Sequence, residues 1–168
     1  MFQRTLRSQR LARDSRSTGF REHVFAEQIF VEHPFVQIEM MITPAYAAFA
    51  ALMLLALSIR TIRLRRKAGI AVGSEDDVAL ARAIRAHGNF IEYTPFTLLL
   101  IWFAEQQGAA QGVVHGLCLC LIVGRVIHAL AVSSVDEDVR LRVAGMVLTF
   151  TALAGAALGI AGVYLGTL

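Results

Sequence analysis

The sequence predicts an all-α protein, a bundle of four transmembrane helices. Three observations carry this. Hydrophobic residues make up 56% of the 168-residue chain and charged residues 17%, with a mean hydropathy of +0.58; a soluble domain has a more polar balance. Apolar stretches fall at 42–59, 90–104, 112–135 and 143–165, and no charged residue follows Arg142. Three of these can span a hydrocarbon core of about 30 Å, which takes about 20 residues of helix. An open sheet leaves unpaired edges that lipid does not tolerate, and a four-stranded barrel is too small to close.

The first helix is expected at about 42–62. It is rich in Ala, Leu and Met and has no ionisable group before Arg60. Arg60, Arg63, Arg65, Arg66 and Lys67 follow as an interfacial anchor, or one of them folds back onto an anionic ligand. The segment 68–77 reads as a solvated loop, with Ser74 as helix N-cap and Asp77 as the acid of a capping box. The second helix, about 78–106, reaches spanning length only by including the polar run Arg85-Ala-His-Gly-Asn-Phe-Ile-Glu-Tyr-Thr-Pro95. Pro95 lacks an amide donor and loosens the turn before it. The third helix, about 110–133, carries Gly124-Arg125-Val-Ile-His128, with Arg125 and His128 on one face. His115, near its other end, reads as interfacial, without an evident partner. The fourth, about 142–166, has Gly155, Gly159, Gly162 and Gly166 at spacings of four, three and four. That small-residue face suits close helix contact, within or between subunits.

Basic residues cluster after the first helix, at the start of the second, and at Arg140 and Arg142 between the third and fourth. The link between the second and third helices has none. The positive-inside rule then puts both basic loops in the cytoplasm and both termini outside. The net charge of +3 is explained by these positions and by residues 1–39, so no nucleic-acid partner is implied. Residues 1–39 hold six arginines and no apolar run like a signal-peptide core. They conflict with the loop charges. The domain is therefore expected to begin at Met40, with translation starting there or at Met41, or with a disordered or surface-lying extension ahead of it. Cys118 and Cys120 are two residues apart on a helix and point to different faces, so neither a disulfide nor a metal site is expected.

Arg85, Asn89 and Glu92 lie at i, i+4 and i+7 and share a helical face, which Arg82 extends by a turn. Charges at membrane depth must meet protein, water or ligand. Arg125 and His128 are near the same end of the third helix, and Arg142 stands at the membrane threshold. These residues can meet at one depth. The alternative is an internal Arg85–Glu92 pair, bridged by Asn89, that only fixes helix packing. His87 lies off the stripe and is free to bond a neighbouring helix.

Arg85-x-His-Gly-Asn89-x-x-Glu92-Tyr93-x-Pro95, followed about 30 residues on by Gly124-Arg125-x-x-His128, resembles the MAPEG family, membrane-associated proteins of eicosanoid and glutathione metabolism. The resemblance covers about 41–165. It implies a homotrimer in a membrane, with glutathione as co-substrate and sites between subunits near the cytoplasmic side. Arg85, Asn89, Glu92, Tyr93, Arg125 and His128 are the implied glutathione-binding residues, and Arg142 the implied activator of its thiol. Gly88, Val132 and Met146 depart from the eicosanoid-synthesising branches, which carry an Arg and two Tyr there. The His-Gly-Asn form is similar to a small bacterial branch, so an inner-membrane location is implied and eicosanoid chemistry is not.

The chemistry fits the residue types. Glutathione carries two carboxylates, an ammonium, amides and a thiol. Arginines grip carboxylates with forked bonds, Glu92 suits the ammonium and Asn89 an amide. A fixed cation at Arg142 stabilises a thiolate. The expected activity is that of a glutathione transferase or peroxidase acting on apolar electrophiles that arrive through membrane lipid. Other readings stay open: the same scaffold without catalysis, a haem protein using His87 and His128, or a proton-coupled transporter with Glu92 as carrier.

Overall fold

The computed structural model of the chain describes residues 41–134 and 138–166, and every regular element among them is a helix. The expectations for residues 1–39 lie outside the described residues. In chain order the helices are α1 (Ile42–Ala68), α2 (Val78–Gln106), α3 (Gln111–Ser133) and α4 (Val139–Gly166). α1, α3 and α4 are long and apolar enough to cross a membrane; α2 has the length, at 29 residues, but carries the polar stripe. Large apolar side chains face outward along the bundle, among them Leu52, Leu55, Leu130, Val147 and Leu158. So many exposed apolar residues suit lipid as the surrounding solvent.

The helix ends show their causes. α1 runs six residues past the expected 62, because its basic last turns are good helix formers and nothing stops them before Gly69. Gly69 takes φ 72°, its N–H bonding Arg65 O, as glycine at a helix C-terminus commonly does. Arg65 then turns its guanidinium onto the carbonyls of Ala71 and Gly73 and closes the connection to α2. The N-cap of α2 is Asp77 itself, its Oδ1 accepting from Leu80 N at 2.8 Å, rather than Ser74. Ser74 instead supplies a carbonyl to the Asp77 N–H. Asp138 opens α4 in the same manner, accepting from Arg140 N at 2.8 Å. α4 therefore starts three residues before the expected 142.

α3 and α4 are the closest pair, and the backbone of α1 lies against α2 and α3 rather than α4. The α3–α4 crossing rests on Gly124 and Gly145. A Cβ on Gly145 would stand 2.7 Å from Gly124 O, and one on Gly124 would stand 2.8 Å from Gly145 O. The glycine stripe expected to pack α4 does so only at Gly155, where a Cβ would meet Leu117. Gly159, Gly162 and Gly166 face open space within the protomer. Below the crossing, Ile101, Val114, Cys118, Leu121, Ala152 and Ala156 form a fully buried core.

At the end of the bundle away from the basic loops, the Glu105 carboxylate accepts from Ile42 N and, at 3.1 Å, from Thr43 N. An acid from α2 thus caps α1, where the helix dipole favours negative charge. His115 does have a partner there, Tyr46 Oη at 3.0 Å.

Candidate functional site

At the opposite end, α2, α3 and α4 diverge around a cavity of about 690 Å³. Its basic wall is Arg82, Arg85 and Arg142. Asn89, Tyr93 and His128 continue it inward, and Glu75, Asp76 and Asp77 stand at its rim. Val78, Ala81, Val132 and Met146 supply its apolar lining. The glycine crossing holds α3 against α4, and the polar stripe of α2 faces their ends across the cavity. Arg82 closes one side by donating to Val132 O at 3.3 Å.

The innermost group is Arg125. It is 1% exposed, and its Nη1 donates to Asn89 Oδ1 at 2.6 Å and to Asn89 O at 3.2 Å. Nη2 points at Met146 Sδ, 3.3 Å away. The guanidinium carbon lies 5.8 Å from the centroid of the Tyr93 ring, within the range of a cation–π contact. Tyr93 is braced edge-on by Phe150. Nε of Arg125 and Oγ1 of Thr94 are buried without a hydrogen-bond partner among the described residues. Arg125 therefore stands behind the cavity wall and fixes Asn89 and Tyr93, which do line it.

Of the residues anticipated from sequence, Arg85, Asn89, Tyr93, His128 and Arg142 line one cavity, with Arg125 beneath it. Glu92 does not line it. Its side chain is 52% exposed on the outer side of α2, with Oε1 3.9 Å from Arg85 Nη1. Asn89 does not bridge this pair, because Arg125 occupies its oxygen. The Arg85–Glu92 contact joins two exposed groups, a geometry that contributes little by itself. His87 bonds Ser58 of α1 through Nε2 at 3.0 Å and is not in the cavity that His128 lines. The geometry hence does not pair the two histidines about one centre. A Cβ on Gly88 would have only Glu92 Oε1 near it, at 4.0 Å, so the missing larger side chain leaves room beside Glu92. The rim acids were not anticipated as part of the site. Their signal was their position, five to seven residues before Arg82, on the loop leading into α2.

A lipid-exposed four-helix bundle with a cationic, partly aromatic cavity near one membrane face defines a class of integral membrane protein that can hold a polar, anionic ligand at the edge of the bilayer. The chain belongs to the MAPEG family, whose model matches residues 43–162. It is also similar to the inner membrane protein YecN of Escherichia coli strain K12 and of strain O6:H1. Each is 38% identical over 88 residues, covering 52% of this chain and 67% of the relative.

Proposed function

We propose that this inner-membrane protein is a glutathione-dependent transferase or peroxidase acting on apolar electrophiles, and that it works as a homotrimer. The observation that carries the reading is the shared cavity of Arg82, Arg85 and Arg142 with Asn89, Tyr93 and His128. Arg82 and Arg85 suit the tripeptide's carboxylates, since a guanidinium fork matches a carboxylate edge. The rim acids suit its ammonium, and Tyr93 can donate to a thiolate or a carbonyl.

Arg142 is the proposed catalytic group. A permanently charged guanidinium favours loss of the thiol proton to water or buffer and stabilises the thiolate. In transfer, the thiolate sulfur forms a bond to an electrophilic carbon, and the leaving group departs with its electron pair or the adduct takes a proton. In peroxide reduction, the sulfur attacks the distal oxygen and an alcohol leaves. A second glutathione then converts the sulfenic acid to glutathione disulfide and water. The apolar partner enters from the bilayer. In this reading Glu92, exposed beside Arg85, serves the ammonium of glutathione in a site completed by a neighbouring copy.

Calorimetric titration of glutathione into the detergent-solubilised protein tests binding. A screen of electrophiles and lipid hydroperoxides tests turnover. Absence of glutathione binding sinks the proposal. Binding without turnover points to the same scaffold acting as a binding protein, a reading favoured by Val132 and Met146, which line the cavity in place of the tyrosines of the eicosanoid-synthesising branches.

A further inference from the structure

Met146 differs in its surroundings from the other methionines. It is half-buried, lines the cavity between α2, α3 and α4, and holds its Sδ 3.3 Å from Nη2 of Arg125. Neither of the other methionines among the described residues, Met41 and Met53, lines that cavity. Met53 of α1 packs on the apolar cluster of Ala50, Phe90 and Ile122. Met41 stands at the far end of the bundle, where its Sδ accepts from Gln106 Nε2 at 3.5 Å.

The guanidinium beside Met146 is buried and short of good acceptors. Nη1 is held by Asn89. Nε has no hydrogen-bond partner among the described residues. The acceptor facing Nη2 is a thioether, which accepts weakly. A buried cation in this position favours chemistry that turns a poor acceptor into a good one, because an ill-satisfied buried donor is costly. A thioether is open to such a change. Two-electron oxidation converts methionine to its sulfoxide, a polar group whose oxygen accepts hydrogen bonds. The sulfur keeps a free lone pair for the reaction, and the flexible side chain can turn the new oxygen towards Nη2.

We propose that Met146 is a sulfoxidation site, oxidised by organic hydroperoxides that enter the cavity, and that Arg125 holds the sulfoxide formed there. A sulfur lone pair attacks the distal oxygen of the hydroperoxide and the O–O bond breaks. The proton of that oxygen passes to the departing alkoxide. The thioether is oxidised to a sulfoxide and the hydroperoxide is reduced to an alcohol. The inference rests on the proposed function only for the entry of an apolar hydroperoxide into the cavity; it needs neither bound glutathione nor turnover.

The test treats the full chain in detergent micelles with cumene hydroperoxide, without glutathione, and follows oxygen gain at each methionine by peptide mass spectrometry. Met146 should oxidise about tenfold faster than Met53, the factor that one charge-assisted hydrogen bond to the developing sulfoxide gives. Denaturing the protein in dodecyl sulfate beforehand should erase the difference. Equal rates in the folded protein, or no oxidation of Met146, would overturn the site. The part played by Arg125 is read from thermal unfolding, which needs no change at Arg125 itself. Oxidation of a packed methionine ordinarily disrupts its surroundings. Here the midpoint should instead rise by about 2–4 °C, the shift that one net hydrogen bond gives a chain of this length. Met146→Leu, which nearly conserves volume, should show no rise under the same treatment. A lower midpoint for the oxidised wild type would overturn the hold by Arg125. Failure of glutathione to bind would sink the proposed function and leave each of these outcomes as expected.

Discussion

Arg125 of α3 grips Asn89 of α2 twice, through its side-chain oxygen at 2.6 Å and its backbone carbonyl at 3.2 Å. The two residues are 36 positions apart in sequence and both are buried. This contact ties the α2 stripe to the α3 motif and sets the back wall of the cavity. Asn89→Ala removes the shorter bond and leaves a buried guanidinium with one acceptor fewer. The expected loss is about 1.5–3 kcal/mol, the scale of a hydrogen bond to a charged group. Thermal unfolding in detergent measures it, and Asn89→Asp, which keeps an acceptor, should lose less.

Arg85→Ala and Arg142→Ala should separate binding from activation. Both residues line the cavity, but only Arg142 is assigned to the thiol. Arg85→Ala should weaken glutathione binding about tenfold or more, as loss of a charge-assisted bond of about 1.5–3 kcal/mol implies. Arg142→Ala should keep most of the affinity and lose the ultraviolet absorbance of bound thiolate together with turnover. If Arg142→Ala ionises glutathione like the wild type, the residue is a membrane-edge anchor and not an activator.

The α3–α4 crossing should be intolerant of a single methyl group. Gly145→Ala places a Cβ 2.7 Å from Gly124 O and 2.8 Å from His128 N. Because the obstacle is backbone, the helices must part, at about 1–3 kcal/mol. His128 would move with them and the cavity would widen. Gly159→Ala meets nothing within 4 Å in the protomer, and should leave protomer stability within about 0.5 kcal/mol of wild type. Equal destabilisation of the two variants in parallel melts would refute this account of the crossing.

Glu105 ties the far ends of α1 and α2 together by accepting from Ile42 N and Thr43 N. Glu105→Ala should cost about 0.5–2 kcal/mol, as loss of a helix cap does. Amide exchange should rise first at the start of α1. Exchange rising uniformly through the bundle instead would show a role beyond capping.

The basic loops should be cytoplasmic. Val72, 86% exposed between α1 and α2, and Gln107, exposed after α2, lie at opposite ends of that helix. A cysteine in place of Gln107 should react with an impermeant thiol reagent added outside intact cells, and one in place of Val72 only after the cells are opened. Reversed labelling would invert the topology.

Helix number and membrane character were determined by the sequence alone, because both follow from local hydropathy and length. The gathering of Arg85, Asn89, Arg125 and His128 was also legible, since helical periodicity fixes faces and the motifs lie near the same membrane edge. Caps were less so: Ser74 and Asp77 both suit an N-cap, and only the path of the turn selects Asp77. Tertiary structure alone decided which glycines matter. Spacing singles out Gly155 to Gly166, whereas contact falls on Gly124 and Gly145, where two backbones meet. It also decided that Glu92 faces outward and that the acids before α2 reach the rim. A helical face is broad, about 60° separating Asn89 from Glu92 at 100° per residue. Where its neighbours sit decides which residue is buried, and no local pattern encodes those positions.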